Sequence, residues 1–210
     1  MFNYENLVDP LLRDIRKFTP DFAGMKVGDR VLDLCCGTGE QVFEYGRSGI
    51  TATGIDIDPN MLKIALKNMA KNNLKNVSFQ QADATNLPFS DFHFDYASIS
   101  FGLHDKGRIA REKVVSEMKR IVKPDGTLIL IDFQVPLPTN MWALFARLIE
   151  FLVNGDHYRG FKDYLKTGGI NNLINTNHLH EVDRVLLKNG LIIAVRVVKS
   201  EHTLSRLFPR

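Results

Sequence analysis

The sequence is poor in cysteine, and its two cysteines, Cys35 and Cys36, are adjacent in VLDLCCGTGE. Adjacent cysteines do not bridge each other without strain, and no further cysteine completes a disulfide framework or a CxxC pair. His178 and His180 in NHLHE lack a convincing third metal ligand. These absences argue against redox chemistry, and we predict no metal site.

Long hydrophobic runs and a strong excess of charge are also missing. The longest apolar run covers 141–153 and contains Arg147 and Glu150, whereas a helix that spans a bilayer needs about 20 apolar residues. The net charge of +3 forms no basic block, so we predict no nucleic-acid partner. The N-terminus shows no signal-peptide pattern, and we therefore expect a cytoplasmic protein.

Five short apolar runs alternate with segments of helical period. Nearly continuous apolar character is typical of parallel strands that are covered on both faces, and the alternation indicates a doubly wound sheet. Asp58 and Pro59 mark a helix start, and KPDG at 123–126 predicts a turn before the fifth strand. The predicted strands are 30–36, 51–57, 77–83, 94–100 and 126–133.

The remaining segments complete the predicted fold. Residues 134–169 fit no β/α alternation and are interpreted as a helical cap, and a helix near 171–188 precedes strand candidates at 191–198 and 202–208. We predict a three-layer, Rossmann-like α/β fold with a seven-stranded, mostly parallel sheet, a terminal antiparallel hairpin and a cap insertion. It forms a single domain over 1–210 that begins with a helical segment at 1–24.

A glycine turn follows the first strand. Gly37, Thr38 and Gly39 can direct backbone N–H groups at a ligand without obstruction from β-carbons. The dinucleotide pattern G-x-G-x-x-G needs glycine or alanine at position 42, where the chain has Val42. The turn thus indicates a nucleotide-type ligand and disfavours an NAD-dependent oxidoreductase.

Acidic residues end the next two strands. Asp56 can accept hydrogen bonds from both hydroxyls of a ribose, and Asp83 can accept one from an adenine amino group. The carboxyl ends of parallel strands share one edge of the sheet, so these residues and the glycine turn are expected to line one crevice.

In combination the motifs resemble those of class I S-adenosylmethionine-dependent methyltransferases. The resemblance covers about residues 27–133, and one departure is Cys35, where that family usually has glycine or alanine. The matching stretches are VLDLCCGTG, GIDIDPNML, QADATNLPF, FDYASISFGLHD and MKRIVKPDGTLILIDF.

The resemblance implies S-adenosyl-L-methionine as the cofactor and S-adenosyl-L-homocysteine as its product. Asp33 and the glycine loop would surround the methionine part, Ser100 would lie beside the sulfonium and Asp56 would bind the ribose. Residues around the adenine would be Ile57, Met61, Asp83 and Ala84, and those of the loop would be Gly37, Thr38 and Gly39.

Within this class the stretch SFGLHD is similar to one in the ubiquinone/menaquinone-biosynthesis methyltransferases, which commonly have Arg-Asn at His104-Asp105. This likeness implies a small apolar or aromatic acceptor, with a quinone precursor as a candidate. His104 is the best-placed general base, and Asp105 either orients it or caps the next helix. His157 and Tyr158 either face the substrate or lie on a solvated loop.

Several alternatives stay open. A binding module that keeps the cofactor but lacks catalysis fits the same motifs, whereas methylation of nucleic-acid bases is disfavoured because its Asn/Asp-Pro-Pro-aromatic signature is absent. Tyr4 is a candidate for binding the cofactor's carboxylate. The run at 141–153 is either packed against the core or part of a substrate lid. Exposed Trp142, Phe145 and Phe151 would suit peripheral membrane contact or a homodimer.

Overall fold

The structure is a computed structural model of the chain, and it describes residues 9–153, 155–200 and 203. The strands are β1 (Arg30–Leu34), β2 (Thr51–Asp56), β3 (Val77–Gln81), β4 (Phe94–Ser100), β5 (Val122–Phe133), β6 (His180–Leu187) and β7 (Ile192–Val198). The helices are α1 (Asp9–Ala23), α2 (Glu40–Arg47), α3 (Pro59–Asn72), α4 (Arg108–Ile121), α5 (Met141–Val153), α6 (Gly155–Thr167) and α7 (Gly169–Thr176).

All the strands of the described chain form one seven-stranded sheet in the order β3-β2-β1-β4-β5-β7-β6. Strands β1 to β5 run parallel, and β7 pairs antiparallel with both β5 and β6. The predicted fold class is confirmed. The order reverses between β1 and β4, and ligands of open α/β sheets bind in the crevice at such a point, beyond the carboxyl ends of the strands.

The hairpin is built from different segments than those predicted. The helix expected at 171–188 ends at Thr176, and 180–187 forms β6, which pairs with β7. Lys188, Asn189 and Gly190 all have positive φ, as a tight hairpin turn requires. The Asn-Gly pair of that turn was the overlooked sequence signal. Of the second predicted strand, 202–208, only residue 203 is described.

The predicted KPDG turn is also corrected, because residues 123–126 belong to β5. Phe94 pairs with Val122 and Tyr96 pairs with residue 127, so the intervening residues of β5 form a bulge opposite Asp95. A Cβ atom at Gly126 would lie 2.4 Å from the Asp95 carbonyl oxygen. Residues 123–126 therefore lie inside the sheet, where Gly126 lets the backbones of β4 and β5 approach closely, and they do not form a turn between α4 and β5.

Helices cover the sheet and continue into the segment after β5. Helices α2 and α3 pack on β2 and β3, and α4 packs on β4 and β5. Helices α5 and α6 occupy most of 134–169, and Arg111 of α4 forms an ion pair with Asp163 of α6. A Cβ atom at Gly160 would lie 2.3 Å from the Asp105 carbonyl oxygen, so α6 lies tightly against the loop after β4.

Helix α5 exposes much of its apolar surface, including Trp142 and Phe151, so the alternative of an exposed surface holds for these two residues and core packing does not. The Phe145 side chain lies outside the described residues. Within the described chain, no helix combines the length and the hydrophobicity needed to cross a bilayer. Helix α1 falls in the predicted N-terminal segment 1–24, of which residues 1–8 are not described.

Replacing Gly54 with alanine tests the packing beneath the crevice. A Cβ atom there would lie 2.8 Å from Val42 Cγ2, 2.9 Å from Cys36 Sγ and 2.9 Å from Phe79 Cδ1. We expect Gly54→Ala to lower the free energy of unfolding by about 1–3 kcal/mol, measured by chemical denaturation, because the added methyl group would overpack the core. Gly107→Ala is the matched control, since nothing lies within 4 Å of its Cβ position. Equal losses in both variants would contradict this account.

Candidate active site

The turn after β1 needs left-handed backbone at several positions. Gly37 and Gly39 have φ of 53° and 84°, and Cys35 has φ of 55°. A side chain in this conformation costs roughly 1–2 kcal/mol. Cys35 therefore occupies a position that favours glycine, the residue that the methyltransferase class it resembles usually has there. The Cys36 N–H continues the ladder by donating to the Ile55 carbonyl over 2.9 Å.

The glycine turn is tied directly to the acid at the end of β2. Gly37 N donates to Asp56 Oδ2 over 2.8 Å, and Asp58 N donates to Asp56 Oδ1 over 2.9 Å. A Cβ atom at Gly39 would lie 2.5 Å from Phe79 Cζ, so only glycine fits at the start of α2. Two motifs that are separate in sequence thus form one rigid corner of the crevice.

Asp33 is a buried carboxyl group at the carboxyl end of β1. Its Oδ1 accepts a 2.6 Å hydrogen bond from Ser98 Oγ on the neighbouring strand. Burial raises the pKa of Asp33 to about 7, although the Ser98 hydrogen bond and the Arg16 charge oppose this rise. The site thus contains a carboxyl group whose charge depends strongly on what lies beside it.

A cavity of about 170 Å³ opens beside this corner and is lined by Asp33, Gly37, Thr38, Met61 and Ser100. Ser100 Oγ and Gln41 Oε1 are buried in its wall without a hydrogen-bond partner among the described residues. Buried polar atoms are normally paired, so these two atoms fit a polar ligand in the cavity. The volume is below the roughly 300–1,000 Å³ typical of small-molecule sites, so the cavity encloses only part of a nucleotide-sized ligand.

The other predicted cofactor residues continue the crevice into a more open region. Asp56 is half-buried, Ile57 is 64% exposed and Asp83 is exposed. Asp83 Oδ1 accepts hydrogen bonds of 2.8 Å from both the N–H and the hydroxyl of Thr85, which lower the pKa of Asp83. Ala84 is buried beside it.

Sequence reasoning missed six cavity residues, which are Leu12, Ile15, Arg16, Glu40, Gln41 and Phe101. Arg16 lies on α1, and no motif in the sequence indicated that this helix covers the crevice. Phe101 has φ of 57°, and its N–H extends the β4–β5 ladder by donating to the Ile131 carbonyl. Tyr4, a candidate for this region, lies outside the described residues.

Neither cysteine is activated as a nucleophile. Burial raises the pKa of Cys35 to about 11 and raises the pKa of Cys36 as well. Reactive cysteines need a lowered pKa, so both thiols are inert at neutral pH. Their role is packing: a Cβ atom at Gly102 would lie 2.8 Å from Cys35 Cβ.

His104 is buried beside the cavity and does not line it. Its Nδ1 lies 2.7 Å from Asp132 Oδ1, and Asp132 Oδ2 accepts the N–H groups of Leu103 and His104 over 3.1 Å each. Asp132 therefore orients His104, whereas the Asp105 carboxylate pairs with Lys106 Nζ at 3.1 Å. Burial alone would lower the pKa of His104, but the nearby carboxylates, chiefly that of Asp132, raise it overall.

Two residues of the cap meet His104 on its other side. Glu150 of α5 lies with Oε1 3.7 Å from His104 Nε2, and its Oε2 lies 2.8 Å from His157 Nε2 on α6. Tyr158 turns elsewhere, since its ring packs on Phe151 with centroids 5.5 Å apart. Of the two cap residues singled out from the sequence, only His157 joins this cluster. Asp132 lies in the matched stretch MKRIVKPDGTLILIDF but was given no role there, and no sequence motif indicated Glu150.

Comparison with known proteins identifies relatives of the chain. The model of the ubiE/COQ5 methyltransferase family matches residues 11–152. A demethylmenaquinone methyltransferase of Paenarthrobacter aurescens is 37% identical over 131 residues, which cover 61% of this chain and 49% of that protein. The ubiquinone/menaquinone biosynthesis C-methyltransferase UbiE of Pseudomonas aeruginosa is 36% identical over 126 residues, covering 58% and 48%. The chain thus spans about half the length of these curated relatives.

Solved structures share the fold at low sequence identity. A SAM-dependent methyltransferase from Aquifex aeolicus aligns with a TM-score of 0.66 and 18% identity, covering 87% of this chain and 88% of that one. The [4+2]-cyclase SpnF aligns with a TM-score of 0.65 and 17% identity, covering 89% and 81%. Because the neighbours include a cyclase, the fold alone does not determine the reaction.

Asp33 makes stability depend on pH in a defined direction. The folded chain keeps the Asp33 proton up to about pH 7, whereas the unfolded chain loses it near 3.8, so stability falls as pH rises between these values. The difference corresponds to up to about 4 kcal/mol. Asp33→Asn removes this loss, and we expect it to stabilise the chain at pH 8 but hardly at pH 4, as measured by chemical denaturation. An effect independent of pH would contradict the raised pKa.

Proposed function

The chain belongs to the ubiE/COQ5 methyltransferase family, and from this premise we propose that it transfers a methyl group from S-adenosyl-L-methionine to a small apolar or aromatic acceptor. The observation that carries the proposal is the extent of the family match. Residues 11–152 contain the whole crevice, from α1 through the ends of β1 to β4. We further propose a carbon atom of a quinone precursor as the acceptor, because the relatives named above are quinone-biosynthesis methyltransferases.

The cavity beside β1 suits the methionine end of the cofactor. Asp33 offers a carboxyl group for the ammonium, and Arg16 lines the same cavity and suits the carboxylate. Ser100 Oγ and Gln41 Oε1, which are buried without partners among the described residues, would be satisfied by the ligand. Gly37 and Thr38 also line this end of the site, whereas the N–H groups of Gly37 and Gly39 are already bonded to Asp56 Oδ2 and the Cys36 carbonyl.

The open part of the crevice suits the nucleoside. Each oxygen of Asp56 accepts one backbone N–H, which leaves lone pairs for the two hydroxyls of a ribose. Ile57 and Met61 would flank the adenine, and binding would cover the exposed Ile57 side chain. Asp83 would accept a hydrogen bond from the adenine amino group, with Ala84 beside it.

Catalysis in this site would consist mainly of positioning. The bound cofactor supplies a methyl group that its sulfonium already activates. The protein must hold the acceptor atom about 3–3.5 Å from that methyl group, in line with the breaking bond, and exclude water. Phe101 contributes an apolar wall where Ser100 ends the strand.

The hypothesis that His104 is a general base stays a prediction. The neighbouring carboxylates, chiefly that of Asp132, raise the pKa of His104 against the opposing effect of burial. His104 also lies outside the cavity wall, with its Nε2 facing Glu150. Homodimer formation and a cytoplasmic location also stay predictions.

Titration calorimetry with S-adenosyl-L-homocysteine tests the cofactor assignment. We expect the wild-type chain to bind it, and Asp56→Asn to weaken binding about 10- to 100-fold, because charge-assisted bonds to the ribose are lost. Asp58→Asn is the matched control, since asparagine can still cap α3 through the Asn60 N–H, and its affinity should change less than about twofold.

Failure of the wild-type chain to bind at high micromolar concentration would contradict the proposed function. Equal affinity in the two variants would contradict the ribose role of Asp56. Binding without methyl transfer to any quinone precursor or other small aromatic acceptor would favour the alternative of a non-catalytic binding module.

A further inference from the structure

Three potential metal ligands converge where the cap meets the sheet. His104 follows β4, Glu150 lies on α5 and His157 lies on α6. One ligand atom from each, the imidazole nitrogens and a carboxylate oxygen, all lie within 4.8 Å of one another. Glu150 and His157 follow His104 by 46 and 53 positions in the sequence, and the folding of the cap brings them to it. Only His104 lies in one of the matched motifs, and none of the three residues lines the cofactor cavity.

The donor set and spacing fit a transition metal. Two imidazoles and one carboxylate hold zinc in hydrolytic enzymes and iron in facial-triad sites. Metal–ligand bonds of 2.0–2.2 Å place tetrahedral ligand atoms about 3.3 Å apart. Glu150 Oε2 lies 2.8 Å from His157 Nε2, Glu150 Oε1 lies 3.7 Å from His104 Nε2, and the three ligand atoms lie within 4.8 Å of one another. Small side-chain shifts would therefore close the site on an ion.

The surroundings already orient the deepest ligand. Asp132 bonds His104 Nδ1 over 2.7 Å, and this carboxylate–histidine pair leaves Nε2 free to face the cluster. Asp132 is itself held by backbone N–H groups, including that of Phe133. The rings of Phe133 and Phe161 pack around His104, with centroids 4.9 and 6.1 Å from its own. Metal sites use such an apolar shell to limit access of solvent.

The buried carboxylates around the cluster and its access to solvent also favour a divalent ion. The carboxylates of Asp132 and Glu150 are 0% and 7% exposed, and buried charges need compensation. A divalent cation on two neutral imidazoles would balance both. The His157 side chain is 32% exposed, which provides a route into the cluster.

We propose that His104, Glu150 and His157 bind a divalent transition-metal ion such as zinc, with a coordination position left open beside His157. With three protein ligands, that position suits an anionic oxygen or sulfur atom of a small molecule. Binding of the metal does not rest on the proposed function, because none of the three ligands lines the cofactor cavity.

Metal titration of the full chain tests the site. After treatment with a chelator and its removal, the wild-type protein should bind one zinc ion per chain in competition with a chromophoric chelator. Cobalt(II) should give visible absorption bands of an ion with four or five ligands. A dissociation constant for zinc above about 10 μM, or binding of less than one ion per chain, would overturn the proposal. Such binding would be far weaker than that of structural zinc sites.

Variants locate the ion. His157→Ala should weaken zinc binding at least about 100-fold, because even partners outside the coordination shell cost 10- to 100-fold. Its partial exposure makes misfolding a minor concern, and Glu150→Gln provides a second test at a buried ligand. His178→Ala is the matched control, since this exposed histidine lies outside the cluster. Zinc affinity that is unchanged in His157→Ala and Glu150→Gln would overturn the proposal.

Binding of S-adenosyl-L-homocysteine separates this proposal from the previous one. His157→Ala should keep wild-type affinity for that ligand while losing zinc, because His157 does not line the cofactor cavity. Zinc binding by a wild-type chain that does not bind the ligand would support the metal site and contradict the proposed function. Ligand binding without zinc binding would do the reverse.

Discussion

The buried carboxylate of Asp132 is the interaction on which the rest of the site depends. It accepts hydrogen bonds from the N–H groups of Leu103, His104 and Phe133 and bonds the His104 ring, all within 2.7–3.1 Å. These bonds fasten the loop after β4 to the end of β5. One side of that loop presents Phe101 to the cofactor cavity, and the other presents His104 to the cap. The crevice and the cap cluster are therefore two faces of one anchored segment.

On the other side of the crevice, the glycine turn is likewise held by a few hydrogen bonds that also position a ligand-binding residue. Its shape is imposed from outside, by the ladder bond from Cys36 and by the Asp56 carboxylate that receives the Gly37 N–H. Cys35 accepts a left-handed conformation there, although glycine would adopt it with less strain. The same bonds place Asp56 where a ribose is expected. The same contacts thus hold the strained turn in place and orient the residue proposed to bind the ribose.

Strands β1 to β5 and the meeting of the glycine turn with Asp56 at one edge of the sheet were predictable because they are encoded locally, in apolar runs, a glycine turn and acids at strand ends. Helix α7 and β6 were not separated correctly, since the helical period continued into 180–187 and the Asn-Gly turn at 189–190 was overlooked. Asp132, Glu150 and Arg16 reach the site only through the packing of β5, α5 and α1. Such tertiary juxtapositions leave no periodic signal in a single sequence.

A crystal structure of the chain with S-adenosyl-L-homocysteine tests the central claim most directly. The account predicts the ribose hydroxyls on the Asp56 carboxylate, the amino-acid end in the cavity with Asp33, and the sulfur atom beside Ser100. Phe101 should then lie between the sulfur and His104. A ligand bound away from the carboxyl ends of β1 and β2, or one whose ribose does not contact Asp56, would contradict it.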